Sequence, residues 1–137
     1  MQTQYIGAPW LMQPAVPFPQ VSGPAYITAT GGTITEAGGY RYHTFTTSDD
    51  FEVTSLGSTD GSIEYLIVAG GGGGGGSNNS LRGAGGGGAG EVKDASTTVS
   101  VGTYAVVIGG GGAGGSYGNG TAGSNSSIGA TAALGGG

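Results

Sequence analysis

Between Ala25 and Ala69 apolar and polar residues alternate in short runs separated by turn signals, a pattern with the two-residue period of half-buried β-strands. The runs are Ala25 to Thr30, Thr33 to Thr35, Tyr40 to Phe45, Asp50 to Leu56 and Ser62 to Ala69. Gly31-Gly32, Gly38-Gly39, Gly57 and the pair Asp60-Gly61 separate them and predict tight antiparallel connections. Phe51, Val53 and Ser55 share one face of their strand. In the last run Ile63, Tyr65, Ile67 and Ala69 alternate with Ser62, Glu64, Leu66 and Val68, which predicts a half-buried first half and a fully buried second half. Two later strands are predicted at Thr97 to Val101 and Tyr104 to Ile108, split by Gly102.

From Gly70 onward the pattern changes. Seven consecutive glycines, Gly70 to Gly76, follow directly on an apolar strand; a second tract runs from Gly83 to Gly90, and a third from Gly109 to Gly115 again follows a strand. A last stretch, Ser124 to Leu134, leads to Gly135-Gly136-Gly137. Unrestrained oligoglycine is the composition of a flexible linker. These tracts begin where strands end and are interrupted mostly by alanine, which places them inside a domain. Glycine chains with three residues per turn, of the polyproline-II form, can lie side by side and pair N–H with C=O laterally. A seven-residue run would then extend about 22 Å. The expectation is an ordered layer of glycine helices, with the residues between tracts forming tip loops.

Composition narrows the function. Glycine fills 35 of 137 positions, so a conventional core would be small and would need backbone packing, neighbouring copies, or both to complete it. The net charge is −5, and Arg41, Arg82 and Lys93 are the whole basic complement, which excludes nucleic-acid binding by phosphate neutralisation. Cysteine is absent, removing thiol chemistry and disulfides. The longest apolar run, Tyr65 to Ala69, is far too short for a membrane-spanning helix, and Met1 to Gln20 lacks the basic start and apolar stretch of a secretory signal.

All five prolines lie before Ala25, at positions 9, 14, 17, 19 and 24. Proline fixes φ and biases the preceding residue toward extended backbone, so residues 1–24 read as an extended strap. Interleaved with the prolines are Tyr5, Trp10, Leu11 and Phe18, the candidate groups for docking onto a partner surface. The division expected is an arm over 1–24 and a glycine-rich β domain over 25–137, with strands to 69 and strands alternating with tracts thereafter.

Little in the chain points to catalysis. A strand followed by glycines at Gly70 satisfies the dinucleotide-binding spacing formally, but any glycine run does, and no helical period follows. His43 is the one histidine and reads as a structural strand residue. Asp49, Asp50, Glu52, Asp60 and Glu64 flank turns, where carboxylates are ordinarily solvated or capping. Neither a metal nor a cofactor is expected. The segments Ser77 to Arg82 and Ser116 to Thr121 offer amide, hydroxyl, guanidinium and phenol groups, the adaptable polar chemistry of recognition loops. Asn78, Asn79, Arg82, Tyr117 and Asn119 are therefore the candidate receptor-binding residues.

Taken in order, Thr30-Gly31-Gly32-Thr33-Ile34-Thr35, Gly39-Tyr40-Arg41-Tyr42-His43-Thr44-Phe45-Thr46, Ile63 to Ala69 running into glycines, Val101 to Gly109, and Asn119 to Ser127 resemble the glycine-rich domain of tailed-phage structural proteins. The resemblance covers Ala25 to Gly137. It implies a non-enzymatic virion protein, a tail fibre or surface appendage. Such a protein is homotrimeric, contacts other virion proteins through its arm, and meets a host glycan or outer-membrane protein at its far end. A bacterial surface or secreted adhesin outside any virus is the alternative. The fold expected is all-β, a small antiparallel sandwich-like domain with glycine-helix segments.

Overall fold

The structure is a computed structural model and describes residues 26–77 and 84–137. The fold is all-β. Among the described residues the strands are β1 (Thr28–Thr30), β2 (Thr33–Ala37), β3 (Tyr40–Thr44), β4 (Asp49–Ser55), β5 (Ser62–Val68), β6 (Val92–Thr98), β7 (Gly102–Val107), β8 (Ser126–Ile128) and β9 (Thr131–Ala133). They form a five-stranded sheet in the order β1-β4-β7-β8-β9 and two separate two-stranded sheets, β2-β3 and β5-β6. Every pairing is antiparallel.

The side-chain core is small, as the composition requires. Ala29, Phe51, Val53, Val99 and Val106 form one buried cluster, and Ile63 of β5 packs on it from the second sheet. The Phe51 ring meets His43, Phe45 and Tyr104 at centroid separations of 5.1, 6.4 and 6.4 Å. A second cluster, Ile67, Ala69 and Ala133, lies where β5 enters the glycine region. Phe51 and Val53 share the buried face of β4 as the alternation predicts, with Ser55 half-buried on the same side. The Tyr104 hydroxyl accepts from the Ser100 amide at 2.8 Å and donates to the Ser100 carbonyl at 3.1 Å, closing the β6-β7 connection.

Two strand expectations change, and one hairpin appears where no strand was predicted. The second half of β5 is not fully buried: Leu66 and Val68 are 66% and 56% exposed, because β5 pairs only with β6 and this sheet packs through one face. The strand expected at Thr97 to Val101 lies earlier, at Val92–Thr98, where the register of β5 pulls weakly β-prone residues such as Lys93 and Asp94 into a seven-residue ladder. Ser124 to Leu134 folds as the hairpin β8-β9 with Gly129 at φ +52° in its turn.

The glycine tracts are ordered, and their hydrogen bonds recur every third residue. Gly70, Gly73 and Gly76 donate to the carbonyls of Ser124, Thr121 and Gly118 at 3.0, 2.8 and 2.7 Å. Gly72 and Gly75 donate to Gly88 and Gly85, while the carbonyls of Gly71 and Gly74 accept from Gly112 and Gly115, all at 2.8 to 2.9 Å. Residues 70–76 therefore form a three-fold helix whose successive rows face different neighbours, the lateral pairing that the three-residue turn permits. Around it lie the tracts 84–90, 109–115, 118–124 and 134–137. The 109–115 and 118–124 tracts also pair with each other, through Ser124 to Gly110 and Thr121 to Ala113.

Close backbone approach is what demands glycine here. A Cβ on Gly70, Gly73 or Gly76 would sit 1.9 to 2.0 Å from a carbonyl oxygen of the 109–115 tract, and one on Gly112 would sit 1.8 Å from the Thr121 oxygen. Rows facing outward have space: a Cβ on Gly110 meets nothing within 4 Å, and Ala113, one turn further along that row, is exposed. Side chains substitute for backbone where the lattice meets the strands. The buried Ser126 hydroxyl accepts from Gly109 at 2.9 Å, and the Asn125 carboxamide oxygen accepts from Gly135 at 2.9 Å.

Gly112→Ala and Gly73→Ala should each lower stability by about 3 kcal/mol or more, the scale of severe steric misfit, and Gly110→Ala should leave it unchanged or raise it by about 0.5 kcal/mol through the unfolded state. Chemical denaturation of the three variants checks this ordering.

Candidate functional site

The lattice has two ends with different chemistry. At one end the tracts join β5, β6, β7, β8 and β9. At the other, the 70–76 tract leads through Ser77 to Ala84, and the 109–115 tract turns through Ser116 and Tyr117 into Gly118. Gly76 donating to Gly118 at 2.7 Å and Gly75 donating to Gly85 at 2.9 Å hold the ends of the 70–76 and 84–90 tracts beside the start of the 118–124 tract. The ends of the 70–76 and 84–90 tracts and the Ser116-Tyr117 turn thus lie together at the end of the bundle away from the β-sheets.

The sequence-predicted recognition residues divide accordingly. Tyr117 is 81% exposed at the tip, and Asn119 is exposed on an outward row of the 118–124 tract. The second predicted loop is shorter than expected. Thr121 is already within the lattice, its hydroxyl accepting from Ala113 at 2.7 Å, so the loop contracts to Ser116 and Tyr117. Asn78, Asn79 and Arg82 lie outside the described residues. The arm residues Tyr5, Trp10, Leu11 and Phe18 also lie outside them.

Two surfaces were not singled out by sequence reasoning. The β2-β3 hairpin forms a separate exposed ribbon, turned by Gly38 and Gly39 at φ +59° and +82°, the left-handed pair of a type I′ turn. Antiparallel partners share a face, so Thr33, Thr35, Ala37, Tyr40, Tyr42 and Thr44 line one side and Ile34, Glu36, Arg41 and His43 the other. Arg41 bonds Glu36 through Nε and Nη2 at 3.0 and 2.7 Å, an exposed pair contributing under about 1 kcal/mol. His43 anchors the ribbon: its Nδ1–H donates to the Gly31 carbonyl at 2.9 Å, and its ring meets Phe51 edge-on. The other surface is an apolar patch of Leu66, Val68 and Val92, which the β5-β6 register places together on the open face. The signal for the ribbon was present in two four-residue alternations around Gly38-Gly39, but alternation does not tell which face, if either, is covered.

The carboxylates do not converge. Asp60 caps its own turn, accepting from the Ser62 amide at 3.0 Å, and Glu91 accepts from the Leu134 amide at 2.8 Å. Among the described residues there is no group of three or more His, Asp or Glu positioned to hold a metal ion, and no helix long and apolar enough to cross a membrane.

A β-sheet body that carries a backbone-paired glycine bundle defines a glycine-rich β domain. The profile of the glycine-rich domain family matches residues 46–137, about two thirds of the chain, and the protein belongs to that family. The match begins at Thr46, so β1, β2 and β3 precede it although the sequence resemblance began at Ala25. No curated protein and no solved structure matches the chain.

Because Tyr117 and Asn119 project from the lattice without supporting it, Tyr117→Ala and Asn119→Ala should each change stability by less than about 0.5 kcal/mol. Thermal unfolding of both variants checks that the tip is free to vary.

Proposed function

We propose that the protein is a non-enzymatic structural component of a virus particle, a tail fibre or surface appendage of a tailed bacteriophage, which contributes to host attachment. Its N-terminal arm, with Tyr5, Trp10, Leu11 and Phe18, docks on other virion proteins. The far end of the glycine lattice meets the host surface, a glycan or an outer-membrane protein, through Tyr117 and Asn119, together with Asn78, Asn79 and Arg82. The observation that carries this reading is that the ends of the 70–76 and 84–90 tracts and the Ser116-Tyr117 turn lie at one end of the bundle, opposite the sheets. Polar, aromatic-bearing loops on a rigid scaffold lose little entropy on binding, which suits adhesion to a fixed surface. The ordered motif resemblance supplies the viral context.

Self-association follows from the same economy. The side-chain core is small, and Leu66, Val68 and Val92 are 66%, 56% and 61% exposed in one patch, an apolar surface that a homotrimer would cover. A bacterial surface adhesin would use the same tip, and the two readings part on whether the protein is found in particles.

Native mass measurement on the purified full chain should give three times the 13.0 kDa chain mass, and a stable monomer would count against the assembly. Labelled protein should bind cells of a susceptible bacterium, and Tyr117→Ala with Asn119→Ala should reduce that binding about tenfold, the loss of roughly 1.4 kcal/mol. Equal binding by the variant would remove the tip from the reading.

A further inference from the structure

The β2-β3 ribbon is held at its root, where His43 bonds the Gly31 carbonyl at 2.9 Å and sets its ring against Phe51. Its other face carries Tyr40 and Tyr42, both exposed, with ring centroids 6.2 Å apart and planes tilted by 43°. Thr35 stands opposite Tyr42, and the last pair on that face is Thr33 with Thr44. Thr33 and Thr44 are also one wall of a cleft of about 190 Å³, completed by Gly32, Phe45, Thr46, Thr47 and Asp49. Gly32 turns the chain into β2 at φ +62°, and a Cβ on it would lie 2.7 Å from the Thr44 oxygen and 3.1 Å from the Phe45 ring, so glycine is what lets that ring close the floor. Phe45 is itself fixed edge-on against Phe51. Tyrosine face and cleft thus form one continuous strip, about 14 Å long from Tyr40 to Thr44 before the cleft begins. Thr28, at the start of β1, pairs with Ser55 at the opposite end of β4 from Asp49, so the strip lies away from where the chain enters the sheet.

We infer that this strip is a binding site for a neutral hexose oligosaccharide. Sugar rings present a face of C–H groups, which packs on the electron-rich face of an aromatic ring, and Tyr40 and Tyr42 offer two such faces in line. Among the described residues no group of the protein bonds the hydroxyls of Thr33, Thr44, Thr46 and Thr47 or the Asp49 carboxylate, whereas the Thr54 and Thr59 hydroxyls elsewhere donate to main-chain carbonyls. Threonine hydroxyls donate or accept as a sugar hydroxyl requires, and an ionised carboxylate accepts strongly from one. Charge sets the class of sugar. The cleft holds one carboxylate and no cation, because Arg41 lies on the opposite face of the ribbon, bonded to Glu36, so sulfated or acidic sugars are repelled. A protein partner would bury an apolar centre within a polar rim. Here the concave part of the strip is lined by hydroxyls and the apolar rings lie beside it. One sugar therefore stacks on Tyr42 and the next enters the cleft toward Thr46, Thr47 and Asp49. The inference rests on the ribbon and its root and is independent of the tip proposed above to meet the host.

The test is a two-dimensional NMR titration of the full-length protein with maltohexaose, cellopentaose and mannohexaose as neutral probes and a heparin hexasaccharide as the anionic one. At least one neutral probe should shift the signals of Tyr40, Tyr42, Thr46, Thr47 and Asp49, and the heparin probe should not. Tyr42→Ala should weaken that binding about tenfold. Thr47→Val, which leaves the ribbon strands untouched, should weaken it about fivefold. Ile34→Ala on the opposite face and Tyr117→Ala at the tip should leave it unchanged. Shifts that survive both the Tyr42 and the Thr47 substitutions, or tighter binding of the heparin probe, would overturn the inference. Shifts confined to Tyr117 and Asn119 would overturn it while supporting the tip, and silence of the strip toward every neutral probe would overturn it and leave the tyrosine face to a protein partner.

Discussion

Lateral hydrogen bonding between bare peptide backbones is the interaction on which the rest of this structure depends. The chain has too few large apolar side chains to organise 137 residues around one oily core, and its buried clusters are correspondingly small. Glycine removes the Cβ that would keep neighbouring chains apart, which lets one three-fold helix be surrounded by four others and satisfied on successive rows. Ordering glycine costs more backbone entropy than ordering any other residue. Cooperative pairing in a regular array has to offset that cost, and the sheets supply the register from which the array starts.

The sheets therefore serve as a starter block. β5 and β7 each deliver a tract outward, and β6 and β8 each receive one back, so the hydrogen-bond register of the strands becomes the register of the lattice. Ser126 and Asn125 bridge the transition by giving hydroxyl and carboxamide oxygens to glycine N–H groups where a backbone carbonyl is not at hand. A consequence is a division of tolerance. Inward rows accept only glycine, whereas outward rows carry alanine, asparagine and threonine and the turn at Ser116-Tyr117 carries tyrosine, so side chains vary there while the scaffold stays fixed.

Much of this was legible in the residues. Gly70 to Gly76 and Gly109 to Gly115, each placed directly after an apolar strand, predicted paired glycine helices, and the alternation around Phe51 and Val53 predicted the buried face of β4. What pattern alone did not carry was partnership. Leu66 and Val68 read as buried because the second half of their strand is apolar throughout, yet a two-stranded sheet covers one face only. Lys93 to Ser96 are weakly β-prone and joined a strand because β5 offered them a ladder. At the tip, Tyr117 and Asn119 were legible as polar loop residues, whereas Thr121 was drawn into the lattice by a hydroxyl-to-amide bond that only the three-dimensional register creates.

Residue-resolved amide hydrogen exchange tests the central claim most directly. The account predicts slow exchange at Gly70, Gly72, Gly73, Gly75 and Gly76, and at Gly112 and Gly115, whose N–H groups donate within the lattice, with faster exchange at Gly71 and Gly74, whose carbonyls alone are engaged there. Uniformly rapid exchange through both tracts would show them to be loose tether, and the three-fold lattice with everything built on it would be contradicted.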